Sequence, residues 1–213
     1  MNAAEGTVHI VDDDASFLTA TARLLLASGF IVKTFQSAMD FLAQREADAP
    51  GCVVADMQMP GLNGLELQAA LAATPNPLPL LFLTGHGDIS SSVRAMRSGA
   101  EDFLEKHAPK EQLLDAVRRA LERDAREREA RAHRQALQGR FDALSARELE
   151  VLSHVLRGRL NKQIAGDLAI NERTVKLHRT SIMAKLQVRS VTALTQLVQE
   201  AGRMGGHERT DLP

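Results

Sequence analysis

The first 120 residues alternate between short apolar runs and longer segments of helical periodicity. Apolar runs bounded by turn residues predict five strands, at 7–11, 31–35, 52–55, 78–83 and 102–104. Segments with apolar residues three or four positions apart predict five helices, at 16–27, 38–45, 65–73, 89–98 and 110–120. This alternation favours an α/β domain with a five-stranded parallel, doubly wound sheet covered by helices on both faces.

The remainder of the chain is predicted to be helical throughout. No Gly or Pro interrupts residues 110–138, so the fifth helix should continue as a solvated linker helix, with a coiled coil as the weaker alternative. Ser145 and Glu148 have the spacing of a capping box for a helix that ends at Gly158. Three further helices are predicted, near 161–168, from 171 to about 186, and from 190 to 202.

Charge divides the chain in the same way. Residues 1–120 carry 9 basic and 15 acidic side chains, whereas residues 121–213 carry 17 and 12, although the whole chain has a net charge of only −1. This asymmetry favours an acidic module joined to one that meets a polyanion, with uneven surface charge as the alternative. The predicted domains are a first domain at 1–120, a helical linker at 121–140, a four-helix domain at 141–203 and a disordered tail at 204–213.

Composition excludes several classes of protein. Hydrophobic residues make up 44% and charged residues 25%, which excludes global disorder. The longest strongly apolar stretch, 78–83, is far shorter than the roughly 20 residues of a membrane helix. The single cysteine, Cys52, cannot form an internal disulfide. No basic residue precedes Arg23, so the pattern of a signal peptide is not present. We therefore expect a soluble cytoplasmic protein with no membrane partner.

Polar residues with related chemistry follow four of the predicted strands. They are Asp12, Asp13 and Asp14 after the first, Asp56 after the third, Thr84 after the fourth and Lys106 after the fifth. The carboxyl ends of parallel strands meet at one edge, where clustered carboxylates need a neutralising cation such as Mg²⁺. Asp56 could then attack phosphorus and form an acyl phosphate, with Lys106 and Thr84 at the phosphoryl oxygens. The alternative is a helix N-cap cluster with solvated acids.

At these residues the chain resembles a two-component receiver domain over about residues 6–120. The resemblance rests on VDDD, VVADMQMPGLNGLEL, LTGHGD and DFLEK. It implies a flavodoxin-like fold and a phosphoryl group supplied to Asp56 by a sensor histidine kinase. It implies Mg²⁺ bound by Asp13 and Asp56, by Asp12 through water, and by the backbone carbonyl of Gln58. It also implies two switch residues and a phosphate-contacting lysine: Thr84, Phe103 and Lys106.

The residue after Lys106 departs from this family, because His107 stands where a proline is usual. A cis bond costs about 2.5–4 kcal/mol when no proline is involved, so we expect a trans bond here. The loop should then be more mobile and Lys106 less firmly aimed at Asp56, unless the loop reroutes and the ammonium reaches the same place.

A haloacid-dehalogenase-like phosphatase with a nucleic-acid-binding tail is the rival interpretation. Asp12, Asp13 and Asp14 satisfy its D-x-D spacing, and it also uses a lysine, a hydroxyl and Mg²⁺. However, Ser16 stands where that motif prefers Thr or Val, and the MPGLNG segment would have no role. The position of the phosphorylated aspartate distinguishes the two.

The predicted helix from residue 171 carries a basic stripe. Residues 173–189 contain five basic side chains and no acid. Lys176, Leu177 and Thr180 lie roughly along one face, away from the core spacing of Val175 and Ile182. Such a face fits insertion into the major groove of DNA, with a solvated basic face as the alternative.

The segments SARELEVL, GRLNKQIAGDL and NERTVKLHRTSIMAKLQVRS resemble a LuxR-type helix-turn-helix domain over about residues 141–202. With the receiver, the chain resembles a FixJ-like regulator of the NarL/FixJ family. This implies base-reading residues Lys176, Leu177 and Thr180. It implies phosphate contacts by Asn161, Lys162, Thr174, His178, Arg179 and Lys185. It implies a dimer contact through Val191, Leu194 and Val198, for which core packing is the alternative.

The expected function is therefore phosphorylation-dependent transcriptional regulation through double-stranded DNA. We expect a homodimer that forms on phosphorylation and binds a two-fold symmetric site. No enzyme activity is expected beyond the protein's own phosphorylation and dephosphorylation.

Overall fold

The computed structural model describes residues 6–85 and 89–204, and the side chains of all these residues except 89–91 and 204. The chain forms two compact units that divide between Arg128 and Glu129. The predicted disordered tail lies outside the described residues, except for Met204, which ends a helix.

The first unit is built on the predicted parallel sheet. Its elements, in chain order, are β1 (Thr7–Val11), α1 (Ala15–Ala27), β2 (Ile31–Phe35), α2 (Ala38–Gln44), β3 (Gly51–Asp56), α3 (Gly64–Ala72), β4 (Leu80–Thr84), α4 (Ile89–Arg97), β5 (Asp102–Glu105) and the start of α5 (Lys110–Asp142). All paired strands are parallel, in the order β2-β1-β3-β4-β5. The five-stranded parallel fold is thus confirmed.

The sheet separates two apolar cores because successive side chains of a strand point to opposite faces. In β4, Leu80 and Phe82 pack in one core, whereas Leu81 and Leu83 pack in the other. Every residue of β3 and β4 is buried, which explains why these strands appear in the sequence as continuous apolar runs.

The starts of two strands differ from prediction, and β3, β4 and β5 each end one residue later than predicted. β4 begins at Leu80 rather than residue 78, since Pro79 has no N–H to donate and contributes only its carbonyl, which accepts from Val53 N at 2.9 Å. β3 begins at Gly51, where an added Cβ would lie 2.1 Å from the Thr7 carbonyl oxygen. Glycine is therefore required by the close approach of β1.

The linker helix is longer than predicted. α5 continues through Gly139 to Asp142, two residues past the predicted limit of the helical linker at 140. A helical glycine costs only about 1 kcal/mol relative to alanine. Leu137 is buried, and Phe141 packs against the core of the second unit, so burial on both sides of Gly139 offsets this cost.

The second unit contains α6 (Ala146–Leu156), α7 (Asn161–Asp167), α8 (Glu172–Lys185) and α9 (Val191–Met204). The Ser145–Glu148 capping box and the Asn171 N-cap are both present. α9 passes the predicted end at Gly202 and reaches Met204. The helices enclose a core of apolar side chains, among them Val151, Ile164, Val175, Ile182 and Leu186.

Within the described ranges, no helix has both the length and the apolarity needed to cross a membrane.

Candidate functional site

Three carboxylates meet at the carboxyl edge of the sheet. Val11 of β1 pairs with Ala55 of β3, so the residues that follow them emerge side by side. Asp12, Asp13 and Asp56 each offer one oxygen, and these oxygens lie within 4.8 Å of one another. Asp12 is only 1% exposed and Asp56 is also buried, whereas Asp13 faces solvent. The cluster is therefore half enclosed and open on one side.

Lys106 bridges the two buried carboxylates. Its Nζ lies 2.7 Å from Asp12 Oδ2, 3.1 Å from Asp56 Oδ2 and 4.5 Å from the centroid of the Phe17 ring. Burial raises the pKa of Asp12, an effect that the ammonium only partly offsets. Burial would lower the pKa of Lys106, but its hydrogen bonds to Asp12 and Asp56 outweigh this effect and raise that pKa. Lys106 is thus held as a cation beside Asp56.

The Lys106–His107 bond is trans, since the described residues include no cis peptide. Lys106 N donates to Thr84 O at 2.8 Å, and His107 Nε2 lies 2.7 Å from Glu105 Oε2. The lysine reaches Asp56 without the family's proline. The position of the ammonium agrees with the alternative expectation, and the greater mobility of the loop stays a prediction.

Asp14 has a separate role from the other acids of the first strand end. Its side chain caps α1 by accepting from Ser16 N at 2.8 Å and Phe17 N at 3.1 Å. The N-cap alternative therefore holds for Asp14. The pocket acids are oriented by their own backbone contacts, with Asp12 Oδ1 accepting from Asp14 N and Asp56 Oδ1 accepting from Met57 N. Oδ2 of Asp56 is the oxygen that contacts Lys106.

The loop after Asp56 returns tightly against β3. Gly64 N donates to Met57 O at 3.0 Å. A Cβ on Gly64 would lie 2.6 Å from Asp56 O and 2.8 Å from Phe82 Cε1. This close approach accounts for glycine at the start of α3 and fixes the backbone that carries Asp56.

The remaining predicted pocket residues lie on neighbouring elements. Thr84 ends β4 and is buried, and Gln58 follows Asp56 in an exposed turn. Phe103 is half-buried on β5, with its ring centroid 6.2 Å from that of Phe82. Sequence reasoning missed Phe17, whose ring on α1 meets the Lys106 ammonium only in the folded unit.

The basic face predicted for the second unit is formed by α8. Lys176, Leu177 and Thr180 are exposed, whereas Val175 and Ile182 are buried. Arg179 Nη1 donates to Asn161 Oδ1 at 3.1 Å, which joins α8 to the start of α7. The other predicted phosphate contacts on these two helices are Lys162, which is exposed, and Thr174 and His178, which are half-buried.

Lys185 has a different contact from the one predicted. Its Nζ lies 2.7 Å from Oε2 of Glu148, which is only 4% exposed. Glu148 also accepts from Ser181 Oγ at 2.6 Å and Ser145 N at 2.7 Å. Hydrogen bonds from Lys185, Ser181 and Ser145 lower the pKa of Glu148 to about 2. In this structure the Lys185 ammonium neutralises a buried carboxylate.

The predicted dimer contact on α9 needs one correction. Leu194 is 1% exposed and packs in the helical core, so its role is the core-packing alternative. Val198 packs partly against the same core, and Val191 is exposed. The candidate contact is thereby reduced to Val191 and the exposed part of Val198.

The comparisons with known proteins agree with both halves of the architecture. Residues 8–118 match the response regulator receiver domain family, and residues 142–198 match the luxR family of bacterial regulatory proteins. Response regulator protein TmoT of Ectopseudomonas mendocina is 41% identical over 199 residues, covering 93% of this chain and 90% of TmoT. Transcriptional regulatory protein FixJ of Bradyrhizobium diazoefficiens is 36% identical over 200 residues, covering 94% and 98%.

Solved structures show the same likeness. The low-resolution structure of response regulator StyR matches with a TM-score of 0.87 and 46% identity, covering 92% of this chain and 98% of StyR. Full-length FixJ from B. japonicum matches with a TM-score of 0.57 and 36% identity, covering 93% and 98%. These relatives support the regulator interpretation and not the phosphatase. The chain belongs to the FixJ-like two-component response regulators, transcriptional regulators that join a receiver domain to a LuxR-type DNA-binding domain.

Proposed function

We propose that Asp56 accepts a phosphoryl group from a sensor histidine kinase, and that this modification controls DNA binding by α7 and α8. The observation that carries the proposal is the position of Asp56 Oδ2, 3.1 Å from the Lys106 ammonium and beside two other carboxylates. The likeness to receiver domains over residues 8–118 supports it.

The transfer requires few groups. An electron pair of Asp56 Oδ2 forms the new O–P bond while the P–N bond to the kinase imidazole breaks. The imidazole keeps the bonding pair and takes up a proton. Lys106 is near enough to contact the phosphoryl oxygens, and Thr84 follows on the next strand end. The phosphoryl group adds about −1.5 to −2 charges to the pocket.

The donor set fits Mg²⁺. Three carboxylates near one lysine leave two negative charges in excess, and carboxylate oxygens are preferred ligands of this hard cation. Asp13 and Asp56 would hold the ion directly, Asp12 through water, and Gln58 through its backbone carbonyl. When bound, Mg²⁺ would offset the charge of the carboxylates and of the incoming phosphoryl group.

The partner of the second unit is double-stranded DNA, and a two-fold site suits a homodimer formed on phosphorylation. Lys176, Leu177 and Thr180 would meet base edges. Asn161, Lys162, Thr174, His178 and Arg179 would meet phosphates, and Lys185 would do so with an ammonium that also contacts Glu148. We propose domain limits at 1–120 and 141–203, joined by the linker at 121–140.

Phosphate mapping tests the proposal. The full chain is incubated with Mg²⁺ and a small phosphoramidate donor, and the acid-labile phosphate is located by peptide mass spectrometry. We expect one phosphoryl group on Asp56, none on Asp56→Asn, and none after chelation of Mg²⁺. Undiminished phosphate on Asp56→Asn would overturn the proposal. Phosphate on Asp12 would also overturn it and would favour a phosphatase.

A further inference from the structure

The cations of α8 fall into two groups. Arg179 and Lys185 are engaged, with Asn161 and Glu148 respectively. Arg173 and Lys176 are exposed, and the described part of the chain offers neither side chain a hydrogen-bond or ion-pair partner. Lys176 already has a proposed role at base edges, whereas Arg173 has none.

Arg173 belongs to the exposed stripe of α8. At about 100° per residue, Arg173 lies within roughly 60° of Lys176, Leu177 and Thr180 around the helix axis. All four are exposed, and Ala184 continues the stripe one turn after Thr180. The opposite face is buried in the core of the unit. Any duplex that meets Lys176 and Thr180 therefore also meets Arg173.

The position along the helix adds a second argument. Arg173 lies in the first turn of α8, directly after Glu172 and the Asn171 N-cap. Residues at the N-terminal end of a recognition helix contact base edges in the major groove. A cation in the first turn opposes the helix dipole, so helix stability gives no reason for arginine here.

We propose that Arg173 reads a guanine in the major groove and is a specificity-determining residue. This rests on the proposed role of α8 as the recognition helix. The planar guanidinium donates two parallel hydrogen bonds to O6 and N7 of guanine, which present two acceptors side by side.

The test begins with selection of duplexes from random DNA by the phosphorylated full chain. Binding to the selected duplex and to its single-base variants is then measured at several salt concentrations. For the wild type, we expect a roughly 5- to 150-fold preference for guanine at one position per half-site. Arg173→Ala should remove the preference at that position alone. Arg173→Gln should shift it to adenine, since glutamine pairs with adenine N6 and N7.

Arg134→Ala is the matched control, because it removes the same charge from an exposed site of the same unit outside α8. It should leave base preference unchanged. If Arg173→Ala instead weakens binding to every duplex equally and reduces the salt slope by about one unit, Arg173 is a phosphate contact and the proposal is overturned. A wild type that distinguishes no duplexes would overturn the proposed function as well.

Discussion

Lys185 and Glu148 join the end of α8 to the start of α6, with Nζ 2.7 Å from Oε2. The carboxylate is buried and receives two further hydrogen bonds, from Ser145 N and Ser181 Oγ. Removing one partner of such a pair leaves a charge that is poorly solvated. The pair therefore stabilises the orientation of α8 from a position that sequence alone assigns to DNA contact.

Lys185→Met should lower the free energy of unfolding of the DNA-binding unit by about 1–3 kcal/mol, since Glu148 loses a charge-assisted hydrogen bond. Urea unfolding followed by circular dichroism measures it. The double variant Glu148→Leu/Lys185→Met should recover part of the loss, because the substitution of Glu148 removes the buried carboxylate that lost its partner. Unchanged stability, combined with a salt slope of DNA binding lower by about one unit, would instead restore Lys185 as a phosphate contact.

His9 should make the receiver less stable in mild acid. The ring is buried and packs against the rings of Phe35 and Phe41. Burial, followed by repulsion from Lys33 and Arg45, lowers its pKa to about 4. The unfolded chain binds the proton near pH 6.5, so this contribution to stability is complete above that pH and is lost as pH falls to about 4. The loss is about 3 kcal/mol at most.

The pH dependence can be assigned to His9 by substitution. Urea unfolding of the wild type and of His9→Gln is compared between pH 7.5 and 4.5. The variant should lose less stability on acidification, whatever its stability at pH 7.5. Parallel pH profiles would show that another group is responsible.

A buried clamp should determine how firmly the middle of α5 is held. Asp124, which is 1% exposed, accepts from Gly51 N at 2.9 Å and from Arg128 Nε at 2.6 Å. Arg128 also donates to the carbonyls of Asp48 and Ala49, each at 2.6 Å. Arg128→Met should cost about 3–5 kcal/mol of receiver stability, because it leaves Asp124 as an unpaired buried charge.

Arg126→Met is the control for this clamp. Arg126 is exposed on the same helix, and its Nη1 lies 3.9 Å from Glu122 Oε2, another exposed group. Exposed pairs contribute about 0–1 kcal/mol, so this variant should unfold close to the wild type. Equal effects of the two substitutions in urea unfolding would contradict the role of the clamp.

Gly64→Ala should impair phosphorylation more than it impairs folding. The new Cβ would lie 2.6 Å from the backbone oxygen of Asp56, so the loop or the end of β3 must shift. We expect slower phosphate incorporation from a small donor, measured beside Gly139→Ala, where an added Cβ meets no atom of the described residues within 4 Å. Equal rates for the two variants would show that the close approach at Gly64 does not matter for the pocket.

The sheet and the acidic pocket were predictable because their signals are local. Apolar runs predict the strands, and parallel pairing brings Asp12, Asp56 and Lys106 to one edge whatever the details of packing. The fine boundaries were less predictable. They depend on Gly51 and Pro79, whose effects appear only when a neighbouring strand is present.

The contacts that sequence reasoning missed join residues far apart in the chain. Glu148 and Lys185 are 37 positions apart, and Gly51 and Asp124 are 73 positions apart. Leu194 shows a different limit, since helical spacing gives the same apolar stripe for a core contact and for a dimer contact. Burial in the folded unit distinguishes them, and periodicity does not.

The central claim is that phosphorylation of Asp56 controls DNA binding, and affinity measured in both states tests it most directly. The full chain, with and without phosphodonor and Mg²⁺, is titrated onto its selected duplex and a scrambled duplex at fixed salt, beside Asp56→Asn. We predict that phosphorylation strengthens binding of the wild type to the selected duplex and leaves Asp56→Asn unchanged. Equal affinity of the wild type in the two states, or the same donor-dependent gain in Asp56→Asn, would contradict the account.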